Sequence, residues 1–361
     1  MEYIKNIKAS DRVIIFHHND CDGCCSAAIM GILMKRFLGI APKLMPSDVD
    51  EETLDFRTIE KVGRGYQHLI VLDFPAFKIS GIPAAEKITG KNGGIFVLVL
   101  DHHPVHRLSN VTYCNPRVFD AAAYIPVSYL AYQIYKEIIG DADACWIAAA
   151  GTLGDYDISR CADLFVELGG SQPELIGNLE LSGGILYEGS LLGKIVKIID
   201  SCRTAGGNAG VELATRFLIK ARDYKQLIEG TTPEAKEMLA FFERSETEIK
   251  RLIEDFKLNA RRIGRVVFYE VVSPLKLKST LATRIQRYSD SEVIVLAQKS
   301  GGIYNISLRR GPDSKVDLNL LINRGISNIP NSRGGGHEGA AGGSIPANFL
   351  DTFLENLLAS N

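Results

Sequence analysis

The chain has 361 residues, 46% hydrophobic and 23% charged, with a net charge of −2. That balance excludes a disordered chain, and the length exceeds one ordinary core and points to two domains. No apolar stretch is long enough to span a bilayer, and the first residues carry no apolar segment with a small-residue cleavage site. A cytoplasmic protein with no membrane partner is therefore expected.

The charge is unevenly spread. Residues 261–361 hold 13 Lys and Arg against 8 Asp and Glu, a net +5, which leaves −7 on residues 1–260. An acidic first part suits cations and a basic last part suits phosphates, although chance surface variation gives the same picture. The seven cysteines are scattered, with Cys21, Cys24 and Cys25 crowded into one motif, as in a reduced chain. Cys21-Asp22-Gly23-Cys24 has the CxxC form, but a lone CxxC with no second pair is weak evidence for zinc.

In chain order, the apolar run Val13–Phe16 reads as a buried strand and Ala27–Leu38 as a helix stopped by Gly39. Pro42–Pro46 reads as a weaker strand, and Leu69–Leu72 and Ile95–Leu100 as two more. Their patterning is continuous rather than alternating, which predicts strands covered on both faces, as in a parallel sheet. Ala121–Ile139 and Ala144–Leu153 read as helices. The alternation predicts an open α/β domain with flanking helices, in which ligands bind beyond the carboxyl ends of the strands.

Residues 162–230 read as several short helices. Thr232-Pro233-Glu234 starts a long amphipathic helix with Met238, Phe242, Ile249, Leu252 and Phe256 on one face, either a connection or a surface helix. A smaller α/β unit follows: strand Val266–Val272, helix Thr280–Tyr288, strand Glu292–Ala297, a turn at Gly301-Gly302 into strand Ile303–Arg309, then helices Val316–Asn323 and Ala347–Leu358. The expected division is 1–190, a helical linker 191–262, and 263–361.

Acid and imidazole groups collect at the strand ends: His18-Asn19-Asp20-Cys21-Asp22-Gly23, Asp73 after Leu72, Asp101-His102-His103, and Gly154-Asp155. Such groups are costly to desolvate unless cations compensate them. Asp20 and Asp22, around a tight turn that Gly23 permits, can diverge toward two adjacent metals. Asp73 can bridge them, and His102 and Asp155 can complete the shell of the second ion. A two-metal site activates water and clamps the attacked phosphate. A single aspartate after a strand is more often a helix cap; four in this order are not. Near the C-terminus, Arg333 and Gly334-Gly335-Gly336-His337 offer close-approaching backbone N–H groups and side-chain donors to an anion, with Arg309 and Arg310 as further phosphate contacts. A flexible glycine loop is the alternative.

These motifs resemble the DHH phosphoesterases, the superfamily of RecJ-type exonucleases, nanoRNases, cyclic-dinucleotide phosphodiesterases and, more distantly, family II inorganic pyrophosphatases. The similarity lies in His18–Gly23 with Ser26-Ala27, in Leu72-Asp73, in Asp101-His102-His103-Pro104, in Gly154-Asp155, and in Asn305–Arg309 with Gly334–His337, which resembles a DHH-associated substrate-binding domain. It covers nearly the whole chain and explains residues 162–262 least.

The resemblance implies Asp20, Asp22, Asp73, His102 and Asp155 as ligands of two Mn2+ ions, with Mg2+ or Co2+ as substitutes. It implies His103 on the phosphate or as proton donor, and Asp101 as the group orienting His102, so that Asp22, Asp101, His102 and His103 form the catalytic set. Arg309, Arg333, Gly334, Gly335, Gly336 and His337 would join His103 in binding substrate. One departure stands out: Phe16 occupies the position of a ligating His in several members, and His18 stands where RecJ-type enzymes carry an acid. His18 is therefore read as a ligand or a neighbour of the ligands, and His17 as structural.

The expected activity is hydrolysis of phosphoesters in nucleotides or short single-stranded nucleic acid by two-metal activation of water. The alternatives are a cyclic-dinucleotide phosphodiesterase, a 3′-phosphoadenosine 5′-phosphate phosphatase, or a non-catalytic replication-associated scaffold, against which the full ligand set argues. A homodimer is compatible with the sequence.

Overall fold

In the computed structural model the described residues are 1–49, 54–55, 65–75, 79–80, 95–106, 111–156, 158–286, 293–311, 314–336 and 338–358. They form two compact units, Met1–Phe242 and Glu243–Asn361.

The first unit is built on a five-stranded parallel sheet: β1 (Val13–His17), β2 (Lys43–Pro46), β3 (His68–Leu72), β4 (Phe96–Leu100) and β5 (Thr112–Cys114), in the order β2-β1-β3-β4-β5. The continuous apolar patterning is explained by burial on both faces. Ile15, Ile70, Leu72, Leu98 and Leu100 pack into the large helical core, while Ile14, Phe16, Leu69, Val71, Val97 and Val99 fill a second core on the opposite face. Each such side chain contributes about 1.5–3 kcal/mol of burial. The register aligns the strand ends: His17 pairs with Leu72, Leu72 with Leu100, and Leu100 with Cys114.

Helix α1 spans Cys21–Leu38, so it starts well before Ala27. Asp20 caps it by accepting from the Gly23 nitrogen, and Gly39 ends it in a left-handed conformation. The expected tight turn at Asp20–Gly23 is thus a helix N-terminus. Gly23 is required there for packing, since a Cβ would sit 2.3 Å from the His18 carbonyl oxygen. Helix α2 is Val127–Ile139, not Ala121–Ile139, because Pro126 occupies its N-cap and holds an extended backbone angle. Helix α3 is Cys145–Gly154.

Beyond it lie α4 (Ala162–Ser171), α5 (Gly183–Gly189) and α6 (Leu191–Lys220). The expectation of several short helices fails for α6, which runs 30 residues and is interrupted only at Gly207 (φ 59°, ψ −150°). Helix α7 spans Pro233–Asn259.

The second unit holds a six-stranded mixed sheet of β6 (Arg261–Ile263), β7 (Val266–Val271), β8 (Val293–Ser300), β9 (Ile303–Arg310), β10 (Arg333–Gly336) and β11 (Ala340–Pro346), in the order β10-β11-β9-β8-β7-β6. Among these described strands only β7 and β8 pair in parallel. Helices α8 (Lys278–Ile285), α9 (Leu318–Gly325) and α10 (Leu350–Leu358) accompany it. Asp317 caps α9, which sets its start two positions after Val316. A 3₁₀ turn, Ala347–Phe349, takes the first residues expected in the last helix. Tyr288 and Glu292, expected at element ends, lie outside the described residues. The Gly-rich segment is an edge strand rather than a loop, with Gly334 opposite Gly343 and Gly335 opposite Gly342.

Candidate metal centre

The parallel ladder continues one residue past each strand. The His18 nitrogen donates to the Leu72 carbonyl (3.1 Å), that of Asp73 to Leu100 (2.9 Å), and that of Asp101 to Cys114 (3.1 Å). Strand register therefore places His18, Asp73 and Asp101 in a row along the carboxyl edge. Asp73 is held there with φ 55°, a left-handed backbone that aspartate tolerates better than most residues.

Helix α1 adds the next two acids. Asp20 is partly exposed and accepts from His18 Nδ1 at 2.7 Å through Oδ2. Asp22 is buried, and its two oxygens accept from the backbone nitrogens of Val127 (2.7 Å) and Ser128 (2.8 Å), the first residues of α2. Asp155 follows as the C-cap of α3. The imidazole of His102 lies between acids: Nε2 is 3.2 Å from Asp73 Oδ1, and Nδ1 is 3.5 Å from Asp155 Oδ2. Asp73 Oδ2 in turn is 3.6 Å from His18 Nδ1. Three groups have donor atoms within 4.8 Å of one another and could hold a metal ion: His18, Asp20 and Asp73; Asp22, His102 and Asp155; and Asp73, His102 and His103.

The charges of Asp73 and Asp155 are poorly compensated. Burial, then the charges of neighbouring aspartates, pushes Asp73 well above the usual carboxylate range. Burial does the same to Asp155 despite the nearby His102 imidazole, and raises Asp22. Asp20 goes the other way: burial would raise it, but the adjacent His18 and the charge of Arg203 bring it below its ordinary value. His102 Nδ1 and Asp155 Oδ2 are buried and have no hydrogen-bond partner among the described residues. Buried polar atoms without partners are rare, and a cation between them would satisfy both. The donor set of carboxylate oxygens and imidazole nitrogens therefore fits divalent metal.

Asp101 has a different task from the expected one. Its carboxylate accepts from the backbone nitrogens of His102 (2.8 Å) and His103 (3.1 Å) and from His103 Nδ1 (2.8 Å). It thus orients the ring of His103, not that of His102. His17 is fully buried and donates through Nδ1 to the His18 carbonyl at 2.7 Å; burial pushes it down to about 4.

Several neighbours of the site carry no sequence signal of their own. Asp200 on α6 accepts from the Cys21 nitrogen at 3.2 Å and is pushed up to about 6, chiefly by burial. Arg203 donates to Asn19 Oδ1 at 3.4 Å, and Asn19 donates to Ser47 Oγ at 3.1 Å. Arg117 donates through Nε to the His102 carbonyl at 2.7 Å, and the Tyr124 ring sits 4.7 Å from that of His102. The pairing of Asn115 with the His103 carbonyl (2.9 Å) fixes the other histidine.

In the second unit, Arg309 stands opposite Ala340, and Gly336 opposite Ala341 across the other side of β11. These two positions share one end of the sheet, about 10 Å apart across two strand spacings. Arg333 is at the far end of β10, opposite Ser344. Gly334 and Gly335 lie between, on an edge strand whose alternate N–H groups are not used by β11. Gly336 has φ 151°, and a Cβ there would meet the Ala340 carbonyl oxygen at 2.4 Å. His337 lies outside the described residues.

A parallel sheet that gathers carboxylates and imidazoles at its carboxyl edge around atoms lacking partners defines a metal-dependent phosphoesterase. Residues 12–152 match the family model for the DHH family N-terminal domain, and residues 239–360 match that for the DHHA1 domain. The chain belongs to the DHH family and carries a C-terminal DHHA1 domain. No curated protein sequence matches it.

Among solved structures, the fold is similar to RecJ in complex with Mn2+ from Thermus thermophilus, at 16% identity and a TM-score of 0.72 over 99% of this chain and 53% of that one. This chain thus spans about half of that protein's length. It is also similar to an exonuclease RecJ bound to manganese (16% identity, TM-score 0.67, 99% of this chain and 91% of that one). CDC45 from Entamoeba histolytica shares the fold at 13% identity and a TM-score of 0.55, over 96% of this chain and 94% of that one. No helix of the described residues is long and apolar enough to cross a membrane.

Proposed function

We propose that the protein is a Mn2+-dependent phosphodiesterase that hydrolyses nucleotides or short single-stranded nucleic acid, exonuclease-like, with two ions at the carboxyl edge of the parallel sheet. The observation that carries this reading is the Asp73 carboxylate, which presents Oδ1 to His102 and Oδ2 to His18. One side chain thereby faces two donor groups. His18, Asp20 and Asp73 would hold one ion, and Asp22, His102, Asp155 and Asp73 the other. Mixed oxygen and nitrogen donors suit Mn2+, with Mg2+ or Co2+ as substitutes. When bound, such ions supply a nucleophilic water at neutral pH and Lewis-acid charge on the phosphoryl oxygens.

The chain's own groups do the rest. Asp101 holds His103 Nδ1 at 2.8 Å, which fixes that nitrogen as the donor to Asp101 and leaves Nε2 for a phosphate oxygen or the leaving group. Asp22 locks the start of α1 to the start of α2, so its carboxylate cannot swing from the cluster. Within the DHHA1 domain, Arg309 and Gly336 at one end of the sheet, with Gly334 and Gly335 beside them, are offered as phosphate-binding groups, while Arg333 lies at the other end of its strand and His337 joins the set on its sequence position alone.

Purified protein supplied with Mn2+ should release mononucleotides from short end-labelled RNA or DNA. Full activity in Asp22→Asn, or no Mn2+ uptake by mass spectrometry, would overturn the assignment.

A further inference from the structure

We propose that Phe119 is a stacking platform for a nucleobase of the substrate, so that the site selects base-bearing phosphodiesters over bare phosphate chains. The inference rests on the phosphodiesterase reading and adds a specificity residue to it.

Phe119 is 93% exposed, an extreme value for a phenylalanine. Isolated surface hydrophobes need no explanation in general, but this one stands on a turn bonded to the backbone of the Asp-His-His motif. The turn is a short 3₁₀ segment, Pro116–Val118, capped by the Asn115 side chain, and the Phe119 nitrogen closes it by donating to Pro116 (3.0 Å). Asn115 also donates to the His103 carbonyl. Arg117 donates to the His102 carbonyl at 2.7 Å and to Ala121 at 3.2 Å, straddling Phe119. Asp120 pairs with Arg160 at 2.9 Å, on the segment that follows Asp155. The same turn therefore grips both histidines of the Asp-His-His motif and reaches the stretch after the last acid. The backbone that carries Phe119 is therefore fixed relative to the Asp-His-His motif, and its exposed ring is offered to a base attached to a phosphate at the cluster.

Phenylalanine has no polar atom, so it recognises a π-face rather than a hydrogen-bonding edge and tolerates any base. The surroundings do not suit a broad protein interface: among the described residues next to it in the chain, Arg117 and Asp120 are charged, Ala121 and Ala122 are small, and Val118 is the one other large exposed apolar side chain.

The test compares kcat/KM of the Mn2+-loaded protein on a short oligonucleotide with that on the same backbone made abasic. Wild type should prefer the base-bearing chain, and Phe119→Ala should reduce that ratio by about tenfold. Phe119→Trp should restore it and lose fluorescence when the oligonucleotide binds, against the constant background of the buried Trp146. An unchanged ratio in Phe119→Ala overturns the platform, as does a change of oligomeric state without a change of ratio. Cleavage of neither chain by wild type instead overturns the phosphodiesterase reading itself.

Discussion

The carboxylate of Asp22 lies 2.8 Å from the backbone nitrogen of Ser128, so an acid in the first turn of α1 satisfies the first turn of α2. Its other oxygen takes the Val127 nitrogen. This side chain is a structural clamp as well as a proposed ligand. Asp22→Asn replaces one acceptor by an amide N–H facing a donor. Stability of the metal-free protein should fall by about 2 kcal/mol, the scale of hydrogen bonds to a charged group. Urea denaturation in chelator measures this apart from metal binding. Loss of a charge that burial disfavours opposes this effect, so a rise in stability would mean that relief of charge outweighs the clamp.

Metal binding should depend on pH with a definite sign. Asp73 and Asp155 are raised above their unfolded values, so the folded metal-free protein binds more protons than the unfolded chain. Its stability from these groups is present below about pH 4, the unfolded value, and is lost as pH rises through their folded values. The same rise frees the carboxylates for cations, with proton release on binding. Mn2+ affinity by calorimetry should tighten from acidic to neutral pH, and the thermal shift on adding Mn2+ should grow in parallel.

His17 predicts an acid limb of the opposite sign. Burial holds it at about 4 against 6.5 for the free side chain. A depressed imidazole contributes stability above pH 6.5 that is lost as pH falls toward 4, up to roughly 3 kcal/mol. His17→Gln keeps a donor for the His18 carbonyl and cannot titrate. The loss of melting temperature on acidification should be smaller in that variant than in wild type.

Asp101→Ala should separate chemistry from metal loading. Three donors lose their acceptor, and the His103 ring loses its orientation. A fall in kcat of about 100-fold or more, the scale of a lost proton donor, is expected, with Mn2+ content retained because His103 is not among the proposed ligands. Activity assays beside metal analysis check both halves.

The strands of the first unit were legible because both faces are buried, so Leu69–Leu72 and Ile95–Leu100 read as unbroken apolar runs. The acids at their ends were legible for the same reason: each follows its run directly. The start of α1 was not, since Cys-Asp-Gly-Cys has the look of a turn; the Asp20 side chain caps the helix there, and the close approach of His18 admits only glycine at position 23. Gly206-Gly207-Asn208 likewise hid the length of α6. Strand β10 was unreadable because three glycines have no side-chain alternation to read and low strand propensity. Asp200 left no trace at all: its contact with Cys21 joins residues far apart in the chain.

The left-handed backbone at Asp73 separates two selective pressures on one position. Folding alone asks for a residue content with positive φ, which glycine and asparagine meet at least as well as aspartate. Only the two oxygens facing His18 and His102 require the acid. A drifting descendant freed of the proposed metal site could settle on glycine there without harm to its sheet, so on that proposal residue 73 marks where function, rather than architecture, holds the chain to its present letter.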